Sequence, residues 1–140
     1  MRTMGLDNGI YVKSKKRNLT RYDLPEGIAY PFDEDYNGEV EILYWRKNWG
    51  LRNAVMNTFG WRAASADQYK FEIDTPDQVI ELIKIIVGFM DRETWEEDGD
   101  SIWEYDVAIN VLKYNIINLA IIAAYMQFNP DVYLEFYDSY

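Results

Sequence analysis

The sequence contains no cysteine and no histidine. Without cysteine the chain can form no disulfide, no thiolate metal site and no thiol nucleophile. Without histidine it lacks the commonest general base near neutral pH and the usual imidazole metal ligand. These absences exclude hydrolases that depend on Ser-His or Cys-His pairs. They also favour a cytoplasmic location, because a secreted chain of this size would have to fold without disulfides.

Other motifs are missing as well. There is no Walker-type loop and no G-x-G-x-x-G sequence, so a phosphate-binding loop is not predicted. Residues 1–17 contain no apolar run of signal-peptide length. The longest apolar run, residues 116–126, is shorter than a membrane span and is interrupted by Asn118, so it predicts a core helix. We expect no cofactor and no membrane association.

Acidic residues outnumber basic ones by 24 to 14, which gives a formal net charge of −10. Residues 1–21 carry six basic side chains and one acidic, whereas residues 91–106 carry eight acidic and one basic. A field of this sign repels nucleic-acid phosphates over most of the surface and attracts basic proteins. The charge pattern therefore predicts a basic protein partner and no direct nucleic-acid binding.

The length of 140 residues and the alternation of strand and helix patterns predict one α+β domain over residues 1–140. A small, mainly antiparallel sheet should pack on three helices, one of them long. Strands are predicted near residues 9–13, 39–45, 68–74 and 132–138, and helices near 48–59, 76–90 and 101–128. The clearest helix start is Thr75-Pro76-Asp77-Gln78, because Thr75 can cap the helix, Pro76 suits its first position and Gln78 can complete a capping box. The acidic side chains of the second strand are expected to face water.

Residues 33–44 allow two interpretations. Asp33, Asp35, Asn37 and Gly38 match positions 1, 3, 5 and 6 of an EF-hand calcium loop. Position 12, which should be a bidentate glutamate, is Tyr44. Asn-Gly is also the dipeptide favoured in two-residue hairpin turns, because both residues tolerate positive φ. A turn is the favoured reading, and a metal site at Asp33, Asp35 and Asn37 is the alternative.

The acidic run also has two interpretations. Glu96, Glu97, Asp98 and Asp100 could form a solvated connector, which is the usual role of such a run. They could instead present a phosphate-like array to a basic site on another protein. We therefore count these four residues among the candidate protein-binding residues.

A third candidate lies where the second strand gives way to a helix. Trp45, Arg46 and Trp49 place a cation among indole rings, an arrangement that can form cation–π contacts or a binding face. Core aromatic residues with partly exposed cations are the structural alternative.

Several motifs resemble a group of uncharacterised proteins that phages and prophages encode. They are Met4-Gly5-Leu6-Asp7 before an Ile10-Tyr11 strand, Tyr44-Trp45-Arg46-Lys47 before a helix, and the closing Phe136-Tyr137-Asp138-Ser139-Tyr140. The resemblance implies an accessory role in a bacterial cytoplasm and a host or phage protein as the partner.

Together these patterns predict a non-catalytic protein that binds another protein through an acidic, tyrosine-rich surface. One alternative is an inhibitor of a host defence nuclease, of the anti-CRISPR or anti-restriction type, that mimics nucleic acid. Another is an enzyme that depends on calcium or on a carboxylate-bound metal.

Overall fold

The computed structural model describes residues 7–35, 38–46, 49–59, 68–90 and 102–139. In these residues the elements are β1 (Asp7–Ser14), a 3-10 turn (Arg21–Asp23), β2 (Val40–Arg46), α1 (Trp49–Phe59), β3 (Gln68–Ile73), α2 (Pro76–Met90), α3 (Ile102–Phe128) and β4 (Val132–Ser139). The strands form one antiparallel sheet in the order β2-β1-β4-β3. The predicted α+β class, with four strands and three helices, is confirmed.

The sheet has one face in the core and one outer face. Along β4 the side chains alternate without interruption, with Val132, Leu134 and Phe136 buried and Tyr133 and Tyr137 half-buried on the outer face. The buried side chains of the strands join those of the three helices in a single hydrophobic cluster. Because the helices occupy the core side, the outer face is left to the loops and to any ligand.

Strand β2 departs from the simple alternation that its sequence suggests. A bulge skips Ile42, because Ile10 pairs with Leu43 and the next residue, Tyr11, pairs with Glu41. An extra residue in one strand reverses the faces of the side chains that follow. Ile42 and Leu43 are therefore both buried.

The acidic side chains of this strand were expected to face water, and this expectation is corrected. Glu39 and Glu41 do point away from the core, but both are only partly exposed. Gly38 has the positive φ of 73° that a turn requires. Residues 31–35 before it are not a strand, so the turn does not close a two-residue hairpin.

The start of α2 follows the predicted capping box. The amide of Gln78 donates to Thr75 Oγ1 at 3.2 Å, and the amide of Thr75 donates to Gln78 Oε1 at 3.1 Å. The helix buries one side and leaves Ile80 and Val87 each 43% exposed. The apolar residues of this helix are therefore not all buried, although they occur on most of its faces.

Helix α3 packs one face against the core and carries a buried amide. Asn118, the residue that interrupts the apolar run, donates to the carbonyls of Ala29 and Ile42 at 2.8 and 2.9 Å and accepts from the amide of Ala29 at 2.8 Å. It thereby ties the chain before β2 and the bulge in β2 to the helix. By length and composition the stretch Asn110–Phe128 could cross a membrane, but 39% of it is buried inside the structure.

A buried ion pair fastens α1 to the sheet. Arg52 donates through Nε and Nη2 to Asp138 Oδ2 at 3.0 and 2.6 Å, and Asn8 Nδ2 donates to Asp138 Oδ1 at 2.6 Å. Asn8 and Asp138 are opposite each other on β1 and β4, so one carboxylate joins two strands and a helix.

Candidate functional site

A cavity of about 310 Å³ lies between the outer face of the sheet and the loop that precedes β2. We call it the sheet-face cavity. Its lining residues are Tyr11, Glu39 and Glu41 from the sheet and Arg21, Phe32 and Glu34 from the loop. This volume is near the lower end of the range of small-ligand pockets, about 300–1,000 Å³, so it suits one side chain better than a large molecule.

The position of Glu41 in the cavity depends on a glycine. Gly9 in β1 lies between Tyr44 of β2 and Tyr137 of β4. A methyl group at Gly9 would overlap the Glu41 carboxylate and the Tyr137 ring. The missing side chain therefore creates the space in which the Tyr137 hydroxyl donates to Glu41 Oε2 at 2.7 Å.

Glu41 is the most perturbed carboxyl group of this region. Burial raises its pKa from the ordinary 4.5 to about 7, the hydrogen bond from Tyr137 opposes the rise, and the negative charges of Glu39 and Asp7 add to it. Among the described residues, Glu41 forms no ion pair. A carboxylate that is partly desolvated beside like charges favours either a proton or an approaching cation.

Three tyrosines surround Glu41 and keep their protons. Burial and the nearby glutamates raise the pKa of Tyr11 to about 12. Burial, followed by the hydrogen bond to Asp7, raises the pKa of Tyr44 to about 12. Burial and Glu41 raise the pKa of Tyr137 far above the ordinary value of 10.0. The phenols therefore act as hydrogen-bond donors, and the carboxylates supply the negative charge.

The loop wall of the cavity is held together by Arg21. Its guanidinium donates to Asp35 Oδ1 at 3.0 Å and to the carbonyls of Asp33 and Phe32 at 3.0 and 3.2 Å. The same group lies 4.4 Å from the centre of the Tyr30 ring. These contacts fix the turn that presents Phe32 and Glu34, so Arg21 shapes the cavity through the turn.

The charges of the cavity are unbalanced. Among the described residues, Glu34, Glu39 and Glu41 line it together with one cation, Arg21. That guanidinium is already engaged by Asp35 and by two backbone carbonyls. The remaining potential is negative, and the rings of Tyr11 and Phe32 lie beside it. Such an arrangement can attract an organic cation, or Glu41 can exchange a proton with a bound molecule.

The predicted metal-site residues are placed as follows. The Asp35 carboxylate is bound to Arg21, and Asp33 contributes its backbone carbonyl to the same guanidinium. Asn37 lies outside the described residues. Within the described ranges, no group of three acidic side chains is arranged to hold a metal ion. The turn therefore already binds a cation that belongs to the chain, the guanidinium of Arg21.

The predicted strand-to-helix binding residues do not form one surface. Trp45 is 4% exposed and packs beside Phe136 in the core. It cannot contribute a binding surface, and that part of the prediction is corrected: the bulge in β2 turns the indole inward. Arg46 is exposed. Trp49 begins α1, and its side chain is outside the described part.

The predicted acidic residues Glu96, Glu97, Asp98 and Asp100 all lie outside the described residues. Their role in protein binding, and the nucleic-acid mimicry that was based on them, therefore stay predictions.

The contact between Glu41 and Tyr137 could not be predicted from the sequence, because the two residues are 96 positions apart and only the strand pairing brings them together. One signal was present. Gly9 is an isolated glycine at the start of a strand of bulky residues, and such a glycine often marks a close approach of other atoms.

Comparisons of the chain with protein-family models, with curated proteins and with solved structures give no match.

Proposed function

We propose that this chain is a non-catalytic binding protein that takes a basic side chain of a partner protein, lysine or arginine, into the sheet-face cavity. The observation that carries the proposal is Glu41, a half-buried carboxylate that forms no ion pair among the described residues. It lies in a cavity with two further glutamates and two aromatic rings.

The cavity suits a long cationic side chain in two ways. The aliphatic stem of lysine or arginine packs well on apolar surface while the charged end reaches a polar group. Here Tyr11 and Phe32 offer the rings, and Glu41 offers the carboxylate. A cation over an aromatic face gains about 0.5–1 kcal/mol at an exposed site and more when it is desolvated.

Cation binding fits the surroundings of Glu41 better than proton transfer to a substrate. Glu39 and Glu34 line the same cavity. A bound cation offsets part of the repulsion among these like charges. The glutamates would also raise the pKa of a proton-transfer group, so the choice depends on the rings of Tyr11 and Phe32 beside the carboxylates, which suit a cation. The acidic, tyrosine-rich outer face is thus the surface that the partner contacts.

The partner itself is inferred from charge and from the resemblance to phage-encoded proteins. We infer a basic host or phage protein in a bacterial cytoplasm, because a net charge of −10 favours association with a protein of opposite sign.

The proposal can be tested with short blocked peptides and NMR. The ¹⁵N-labelled protein is titrated with an acetylated and amidated Gly-Ser-Lys-Ser-Gly peptide and with its Gln counterpart. We expect saturable shifts at the amides of Tyr11, Glu39 and Glu41 with the lysine peptide alone. Glu41→Gln should abolish them, and Glu81→Gln, an equal change of charge at an exposed position of α2, should preserve them.

Two outcomes would contradict the proposal. One is equal binding of the lysine and glutamine peptides. The other is binding of the lysine peptide that Glu41→Gln leaves unchanged, because the cation would then lie elsewhere on an acidic surface.

A further inference from the structure

A second cavity, of about 390 Å³, adjoins the sheet-face cavity along β1. We call it the polar cavity. Its polar lining residues are Lys13, Ser14, Arg17, Asn18, Glu39 and Tyr133. Glu39 lines both cavities, so the two are neighbours on one face of the molecule.

The polar cavity has the opposite charge character. Lys13 Nζ donates one hydrogen to Glu135 at 3.0 Å, and an ammonium group has two more. Arg17 has a side chain that is 56% exposed and a long contact of 3.5 Å with Asp23. Lys15 Nζ lies 5.6 Å from the centre of the Tyr133 ring, which adds a third cation close by. Lys13 and Arg17 both have ion-pair partners, but Arg17 is the more exposed of the two, 56% against 29%, and its ion pair is the longer. Arg17 is therefore the group that can meet a carboxylate from outside.

The spacing of the two cavities follows the strand. Tyr11 lines the sheet-face cavity and Lys13 lines the polar cavity, and they are alternate residues of β1. Alternate residues of an extended chain point to the same side and are about 6.6–6.8 Å apart. An extended ligand that lies over β1, on the outer face of the sheet, would present its own side chains i and i+2 at the same interval.

We propose that the two cavities form one bipolar site for an extended segment of the partner. A basic side chain enters the sheet-face cavity, and an acidic side chain two residues away contacts Arg17 of the polar cavity. This inference rests on the proposed function, because it assigns the sheet-face cavity to the basic residue. It adds the charge pattern and the spacing that the partner segment must have.

The test compares three blocked peptides in a glycine-serine background. They contain Lys-Ser-Glu, Lys-Ser-Gln and Lys-Ser-Ser-Glu. Binding is measured by NMR titration at low salt. We expect Lys-Ser-Glu to bind about fivefold more tightly than Lys-Ser-Gln, which is the effect of one favourable exposed ion pair. Lys-Ser-Ser-Glu should bind like the glutamine peptide. Its glutamate is three positions after the lysine, and side chains i and i+3 of an extended chain point to opposite sides.

Matched variants locate the effect. Arg17→Gln should remove the preference for glutamate and leave the affinity for Lys-Ser-Gln nearly unchanged. Lys84→Gln, an equal change of charge at an exposed position of α2, should keep the preference. Thermal unfolding of both variants checks that the fold is retained.

The outcomes separate the two proposals. Equal affinity for Lys-Ser-Glu and Lys-Ser-Gln, with both bound at Glu41, overturns the bipolar site and leaves the cation site standing. A preference for glutamate that survives Arg17→Gln also overturns the bipolar site. Absence of binding by all three peptides overturns both proposals.

Discussion

Replacing Glu41 with glutamine should make the protein more stable and less able to bind. Glutamine has nearly the same size, and its carbonyl can still accept the hydrogen bond that Tyr137 donates at 2.7 Å in the present structure. The substitution therefore removes the negative charge and leaves the packing over Gly9 almost unchanged. If Glu41 served only to stabilise the fold, its replacement by glutamine would lower the stability of the protein.

The magnitude follows from the pKa of Glu41. The folded protein holds this proton with a pKa of about 7, against 4.5 for an ordinary glutamate. A higher pKa in the folded state means that stability is greatest below pH 4.5 and is lost as the pH rises through about 7. The full difference corresponds to about 3 kcal/mol. Because the side chain is only partly buried, screening by solvent reduces it to about 1–2 kcal/mol.

The assay is urea denaturation of the wild-type protein and the Glu41→Gln variant at pH 8 and pH 5. We expect the variant to be more stable by about 1–2 kcal/mol at pH 8 and by a few tenths of a kcal/mol at pH 5. Glu81→Gln is the control for the change in net charge and should show no such pH dependence. Without urea, the variant should also bind the lysine peptide more weakly than the wild-type protein does.

Two results would refute the reasoning. If Glu41→Gln lowers the stability at pH 8, the carboxylate is stabilised by its surroundings and does not await a cation. If the gain in stability is the same at both pH values, the effect comes from packing, and the raised pKa is not its cause.

Three further substitutions test other parts of the site and its support. Asp138→Asn should lower the free energy of unfolding by about 3–5 kcal/mol in urea denaturation, because it removes the buried negative charge to which Arg52 donates two hydrogen bonds; a loss below about 1 kcal/mol would contradict this. Arg21→Gln should shift the NMR amide signals of residues 32–35, because the turn loses its contacts to the guanidinium, and should weaken lysine-peptide binding; unchanged signals there would show that the turn is held by other contacts. Gly9→Ala should weaken peptide binding at least tenfold in NMR titration, since its methyl group displaces the Glu41 carboxylate and the Tyr137 ring; binding that stays intact would show that these side chains adjust.

The elements of the fold could be predicted where a local pattern determines them. Helix α2 begins at Pro76 because the capping residues at Thr75 and Gln78 are adjacent in sequence, and their hydrogen bonds form as expected. Strand β4 could be predicted from its strict alternation, which the structure repeats residue by residue.

The bulge in β2 could not be predicted, because Ile42 and Leu43 are both apolar and either one could face the core. The decision comes from the partner strand, in which Ile10 pairs with Leu43. This choice places Trp45 in the core and Glu41 over Gly9. The candidate site therefore depends on how the strands pair, and the sequence of one strand does not determine that pairing.

The burial of Glu41 is the step that links the fold to a function. The outer face of an antiparallel sheet can stay solvated, with charged side chains free in water. In this chain the loop fixed by Arg21 covers part of that face and takes Glu41 out of water beside Glu39 and Asp7. Such burial lowers the stability of the folded state near neutral pH, and the hydrogen bond from Tyr137 offsets this loss only in part. A cation from a partner would recover the loss on binding, which is why we place the function of the protein in this cavity.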